Sequence, residues 1–344
     1  NPGGQFTRAI NFNNTFGAPL ISLAASTPLT LNAAGGFNPE INQNGFGLGQ
    51  IGAFTLAAES PLPICDSGVG NQTLNRQITN TNNNVVTINQ TGGGFLGTGA
   101  SMIFTTANNF GTTGNTVLSA GNLVINNATA FGSNAANTIT INGGTVRIGH
   151  AGAAVTMPNN WILNSNLNIS HANGFVANEL TGAISGNGGI VVENTQNFQV
   201  ALQGTNTFSG AVVSRSSFAY ATNFILSSNV GQTLNGSMLN VTSANLGPIS
   251  SLIVDNSNAT GTAVTRLSTG LNLTLNRANF TMQGNGTLAG NESINSLTSV
   301  GMSGLALNPG NNSPTGAGSN LTIGTWVRNN LATATITAAN LGNA

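Results

Sequence analysis

The 344-residue chain carries seven basic and seven acidic side chains, 4% charged residues in all, where an average soluble domain has roughly 25%. All seven basic residues are Arg, spread singly from Arg8 to Arg328, so the clustered cations that neutralise nucleic-acid phosphates or anionic lipid are missing. With 39% hydrophobic residues the composition is not that of a disordered chain, and no apolar run reaches the roughly eighteen residues of a membrane-spanning helix.

Asn is about one residue in six and Gly numbers 46; both tolerate positive φ and mark frequent tight turns. Asn, Ser and Thr can replace charges on the wet face of a strand-rich fold, because they also build the turns. The chain begins at Asn1 with no apolar leader, which reads as a mature exported protein whose signal peptide has been removed, located outside the cell or on its surface. Cys65 is the single cysteine; it excludes an intrachain disulfide framework and reads as a buried, inert thiol.

In chain order, residues 1–70 hold six of the ten prolines and Gly-rich patches such as Gly45-Phe-Gly-Leu-Gly49. Proline cannot donate to a strand ladder, so this stretch is expected to be an irregular cap or docking segment without long strands. Ile51–Ala58 fits one strand or one helical turn. From residue 71 to 344 short alternating runs predict strands at Asn84–Asn89, Ser101–Thr105, Asn115–Leu118, Asn122–Asn126, Thr138–Ile141 and Thr145–Ile148. Further strands are expected at Trp161–Leu163, Asn166–Ile169, Leu239–Thr242, Ser251–Val254, Leu271–Leu275 and Leu321–Trp326. Leu331–Ile336 alternates with period two and is also read as a strand.

Asn-Gly, Gly-Gly and Asn-Asn separate these runs repeatedly between Thr106 and Ser214, and Asn109-Phe110-Gly111 returns as Thr207-Phe208-Ser209-Gly210. Strands this short leave a sandwich, a barrel or a solenoid. A sandwich uses longer strands and would not remain one domain at this length. A solenoid accounts together for short strands, a repeat of roughly twenty residues and recurring Asn/Gly corners. The expected fold is therefore all-β, a parallel β-helix in which Asn amides form ladders from coil to coil. Sixteen Phe against one Tyr suit a dry bore, since Phe needs no hydrogen-bond partner.

Gly121-Asn-Leu-Val-Ile-Asn-Asn-Ala-Thr-Ala-Phe-Gly132 with Ile141-Asn-Gly-Gly-Thr-Val-Arg-Ile-Gly149 resembles the autotransporter-associated β-strand repeat. So do Leu180-Thr-Gly-Ala-Ile-Ser-Gly-Asn-Gly-Gly-Ile-Val-Val192 and Thr205-Asn-Thr-Phe-Ser-Gly210. The resemblance covers residues 106–214, is degenerate over 215–326 and leaves out the first seventy. It implies a right-handed β-helical passenger on a bacterial surface. The membrane barrel that often follows in that family has no counterpart after Trp326.

Candidate chemistry is thin. His150 and His171 follow strand-like runs with no ligand spacing around them, and Cys65 has no histidine placed near it to activate a nucleophile. Glu179 and Glu193 are the best candidates for a glycosidase-type carboxylate pair, yet they stand singly, as turn residues do. Gly-Gly turns without Asp exclude a calcium-binding nonapeptide array, and scattered Asn-x-Ser/Thr triplets are expected by chance in such a composition. The expectation is a non-enzyme with no cofactor and no metal. Its partners are copies of itself and cell-surface components, because near-absent charge removes the usual defence of strand edges against pairing. A monomeric adhesin or stalk is the alternative.

Overall fold

The structure is a computed structural model. It describes strand backbone only between residues 6 and 103, and backbone with side chains through most of 104–338; the connections 149–153, 172–176, 195–197, 217–221, 228–242, 258–264, 285–289 and 309–317 lie outside the described residues. Every described element is a strand or a turn, and every pairing is parallel. The fold is an all-β solenoid. The chain is compact in two units, 1–167 and 168–344.

In the first unit three ladders run side by side. One joins Ala9–Phe12, Glu40–Gln43, Leu62–Asp66, Val85–Gln90, Asn115–Ala120, Thr138–Ile141 and Asn160–Leu163, each beside the next. A second joins Leu20–Ile21, Gly49–Ile51, Gln72–Leu74, Ser101–Phe104, Asn122–Ile125 and Thr145–Ile148. The third joins Phe6–Thr7, Leu29–Leu31, Phe54–Leu56 and Ile78–Thr79. Within the Pro/Gly-rich segment 1–70 the strands are two to five residues long. In sequence, Pro19, Pro28, Pro39 and Pro61 immediately precede the strands that begin at Leu20, Leu29, Glu40 and Leu62. Proline is tolerated at the start of a strand, so these residues punctuate the coils and keep the strands short.

Period-two alternation puts every second side chain into the bore. Leu118, Ile141 and Leu163 form one fully buried column through the register of three successive strands. Phe104, Phe131 and Phe110 pack as tilted rings with centroids 5.3 and 6.3 Å apart. Each such side chain contributes roughly 1.5–3 kcal/mol on burial. Corners are closed by buried amides: Asn137 Oδ1 accepts the Gly114 N–H at 2.9 Å while its Nδ2 donates to Phe131 O at 3.2 Å. On the following coil Asn159 Nδ2 donates to Phe131 O and Asn134 O. The polar backbone of an irregular corner must be paired if it is buried, and the Asn amide offers a carbonyl acceptor and an NH2 donor at once.

The second unit repeats the plan with coils of similar width. One ladder runs Ala177–Leu180, Phe198–Leu202, Thr222–Ser227, Ser250–Asp255, Asn279–Gln283 and on into the long strand Gly290–Asn308. Another runs Ile190–Asn194, Val212–Ser216, Ser243–Leu246, Asn272–Asn276 and into the same long strand. Gly290–Asn308 therefore follows two sides of a coil and starts a third, and Ser319–Ala338 pairs with it along all three. Partners one coil apart are 22 residues apart at Asn206 and Ile184 and 29 apart at Asn320 and Asn291, wider than the twenty expected from the repeats. Most predicted strands are present, some displaced by a residue or two; Leu239–Thr242 lies outside the described residues. Expected amide ladders are also present: Asn164 Nδ2 to Asn142 Oδ1 at 2.9 Å, Asn295 to Asn272 at 2.8 Å and Asn320 to Asn291 at 2.9 Å.

Candidate functional site

Of the residues singled out from sequence, Glu179 and Glu193 lie on different ladders. Glu179 is half-buried in Ala177–Leu180, beside Ala201 on its ladder. Glu193 lies on the other ladder, at the register position of Arg215. His171 ends the Leu167–His171 strand, and Cys65 sits between Asn42 and Asn89 in register; their side chains, like that of Glu193, and all of His150 lie outside the described residues. Among the described residues no three His, Cys, Asp or Glu side chains approach closely enough to hold a metal ion. No described helix is long and apolar enough to cross a membrane.

A charged cluster that sequence reasoning missed lies in the bore of the second unit. In Gly290–Asn308 the inward positions begin Gly290, Glu292, Ile294, so Glu292 occupies a core position and is 2% exposed. Its Oε1 accepts the backbone N–H of Arg266 at 2.7 Å and its Oε2 that of Leu267 at 2.8 Å. Arg266 is fully buried and donates through Nε to Asn256 Oδ1. Burial pushes the Glu292 carboxyl up to about 7, opposed by the two N–H bonds and by the Arg266 charge. Burial likewise lowers the Arg266 pKa, opposed by Glu292 and Asp255. The signal available in sequence was parity: Glu292 is two residues from Ile294, on the same face of the strand.

The terminal coil, Ser319–Ala338, is the second feature. Among the described residues only one of its edges is paired, with Gly290–Asn308. Register places Trp326 over the Ala244–Leu273–Leu297 column and Ile336 over Phe224–Leu252–Phe280–Leu305. These are bore positions, buried in every coil beneath, yet Trp326 is 37% and Ile336 46% exposed. Trp326 is held in place by Nε1 donating to Ser299 Oγ at 3.0 Å. Leu321 stands over Glu292 and is half-covered. Arg328 is the one charged residue of this strand, and its Nε donates to Ala332 O at 3.0 Å.

The first strands of the chain also have one edge paired. Phe6–Thr7, Ala9–Phe12 and Leu20–Ile21 each pair with one later strand and, among the described residues, with nothing on the other side. An unpaired row of N–H and C=O groups is a template for a further strand. A shallow groove of about 420 Å³, bordered by Thr281, Met302, Ala306, Thr335 and Thr337, has no titratable side chain in its walls. Comparisons with family models, curated proteins and solved structures return no match.

Proposed function

We propose that the chain is a non-catalytic extracellular structural protein, a β-solenoid subunit that self-assembles into a bacterial surface fibre, sheath or layer. The observation that supports this reading is the coil Ser319–Ala338, where Trp326 and Ile336 continue buried columns but stand exposed beside an almost uncharged strand edge that is unpaired among the described residues. A strand left in that state favours a further parallel strand, which covers the columns and pairs the backbone in one step. Among the described residues, Phe6–Thr7, Ala9–Phe12 and Leu20–Ile21 also have one edge paired, in parallel, and the other not. Head-to-tail addition of copies is a heterologous contact, which repeats into a filament when it does not close into a ring. The resemblance of residues 106–214 to surface passenger repeats supports the extracellular setting.

Sedimentation velocity on the 344-residue chain tests it. Concentration-dependent growth is expected for the native chain, and Trp326→Arg with Ile336→Arg is expected to shift it to monomer while leaving the circular-dichroism spectrum unchanged. A native chain that stays monomeric at high concentration overturns the polymer and favours the passenger acting as a monomeric stalk or adhesin.

A further inference from the structure

The groove beside Gly290–Asn308 has walls of a definite chemistry. Phe280 and Leu305 are buried in the bore, so by period-two alternation Asn279, Thr281, Gly304 and Ala306 face outward. Register sets Gly304 between Asn279 and Thr335, and Ala306 between Thr281 and Thr337. The floor thus carries almost no side chain, while amide and hydroxyl walls stand one coil to either side, about 10 Å apart. The space is about 420 Å³, within the range of small-molecule sites. We infer that this groove is a binding site for a neutral oligosaccharide, held by the Asn279 amide and the Thr281, Thr335 and Thr337 hydroxyls.

Each property of the groove narrows the ligand. Its walls hold no titratable group, so a charged ligand would lose hydration there without meeting an opposite charge, which is costly. Its polar groups suit sugar hydroxyls, because a Thr hydroxyl and an Asn amide each donate and accept. An ideal Cβ on Gly304 would lie 2.5 Å from Asn279 Oδ1, so the glycine is what lets that oxygen lean over the floor. Among the described residues only Thr337 of these four has its side chain engaged, donating to Leu305 O at 3.4 Å. Met302, two residues before Gly304 and 73% exposed, also borders the groove and offers apolar surface to the C–H face of a sugar ring. A peptide strand is less suited, since Gly304–Leu307 is already paired on both sides and leaves no backbone edge to extend. The groove is formed within one chain and is independent of self-assembly.

Saturation-transfer NMR on the full chain tests it, with tetrasaccharides of glucose, mannose and galactose as neutral probes and tetragalacturonate as the charged one. At least one neutral probe is expected to bind, with a Kd on the order of 1 mM for so shallow a site, and tetragalacturonate to bind more weakly. Ala306→Leu puts a side chain on the floor and is expected to abolish the signal. Thr281→Val keeps the shape and the strand preference but removes a hydroxyl, and is expected to weaken binding about 2- to 10-fold, the net worth of one hydrogen bond. Both positions are half-exposed, and unchanged circular dichroism checks the fold; should Ala306→Leu fail to fold, Thr335→Val takes its place, with the same weakening expected as for Thr281→Val. No transfer to any neutral probe at about 10 mM, well above the expected Kd, overturns the site. So does tetragalacturonate binding as well as the neutral probes, or a signal that survives the variants unchanged.

Discussion

A carboxyl group inside a solenoid can draw only on the chain for its hydrogen bonds, and Glu292 obtains them from two consecutive backbone N–H groups. Those bonds and the Arg266 charge favour ionisation, but burial is the largest influence and raises the pKa from 4.5 to about 7. A folded-state pKa above the unfolded one means that the folded chain holds the proton more tightly. The associated stability is fully present below about pH 4.5 and is lost as pH rises through about 7. The loss is on the order of 3 kcal/mol if the whole shift is expressed. We therefore expect the urea midpoint of the chain to fall between pH 5 and pH 8, and Glu292→Gln to flatten that slope; a midpoint that rises across the range contradicts the assignment. Replacing Arg266 by Met while keeping Glu292 is expected to destabilise by about 3–5 kcal/mol, because it leaves a buried carboxylate without its cation; the same denaturation curves measure it. Loss of the Arg266 N–H contacts is not involved, since those come from the backbone.

Between elements the decisive positions are corners, where the chain turns from one ladder to the next. In the second unit Ile249, Arg277, Gly301 and Leu331 all adopt positive φ, from 55° to 68°. Register stacks the first three: Ile249 N–H donates to Arg277 O, and Arg277 N–H donates to Val300 O, next to Gly301. Only Gly takes this conformation without cost, and a left-handed residue with a Cβ costs roughly 1–2 kcal/mol. Ile249 is β-branched and exposed, so its side chain recovers little of that by packing. Ile249→Gly is expected to stabilise the chain by about 1 kcal/mol in thermal or urea unfolding, the relief of strain exceeding the added entropy of the unfolded chain. The opposite is expected for Gly144→Ala. Its φ is +89° and an added Cβ would lie 2.5 Å from Gly121 O, a backbone atom with nowhere to move, so a loss of at least about 1–3 kcal/mol follows. Much of this architecture was legible in the sequence, because strands and tight turns follow from period-two alternation and from Asn and Gly. Thr138–Ile141 and Thr145–Ile148 have the expected bounds, with Gly144 at the turn between them. The Ile249 and Leu331 corners were not legible, since nothing local distinguishes an Ile or Leu forced to positive φ by stacking from one in a strand. Glu292 escaped for the same reason: its inward parity is local, but its pairing with a residue 26 positions earlier is set by coil width. The terminal coil was legible as strands, and its exposed bore residues only through register.

On the scale of the molecule, a solenoid is held together by contacts between successive coils, so its stability is close to a sum of nearest-neighbour terms. An end coil lacks one of those terms. Polar capping coils usually cover such ends, and charges such as Lys, or Pro, usually blunt exposed edges. Here Ser319–Ala338 contains Arg328 as its single charge and no Pro, while the chain as a whole has zero formal net charge. Contacts made through such a surface draw on apolar burial and backbone pairing, with little Coulomb attraction to screen. Raising sodium chloride from about 0.05 to 0.5 M shortens the screening length severalfold, yet association is expected to change by less than about threefold. Sulfate, which is excluded from protein surfaces and strengthens burial, is expected to increase it. A charged outward position tests the edge without touching the bore: Val327 is exposed on the side of the strand opposite Trp326, and Val327→Lys should leave folding intact while weakening association. Its effect should then become salt-sensitive, because like charges would repeat at every junction of a head-to-tail chain. If association of the native chain falls steeply with sodium chloride, the contact is electrostatic and lies elsewhere than on this coil.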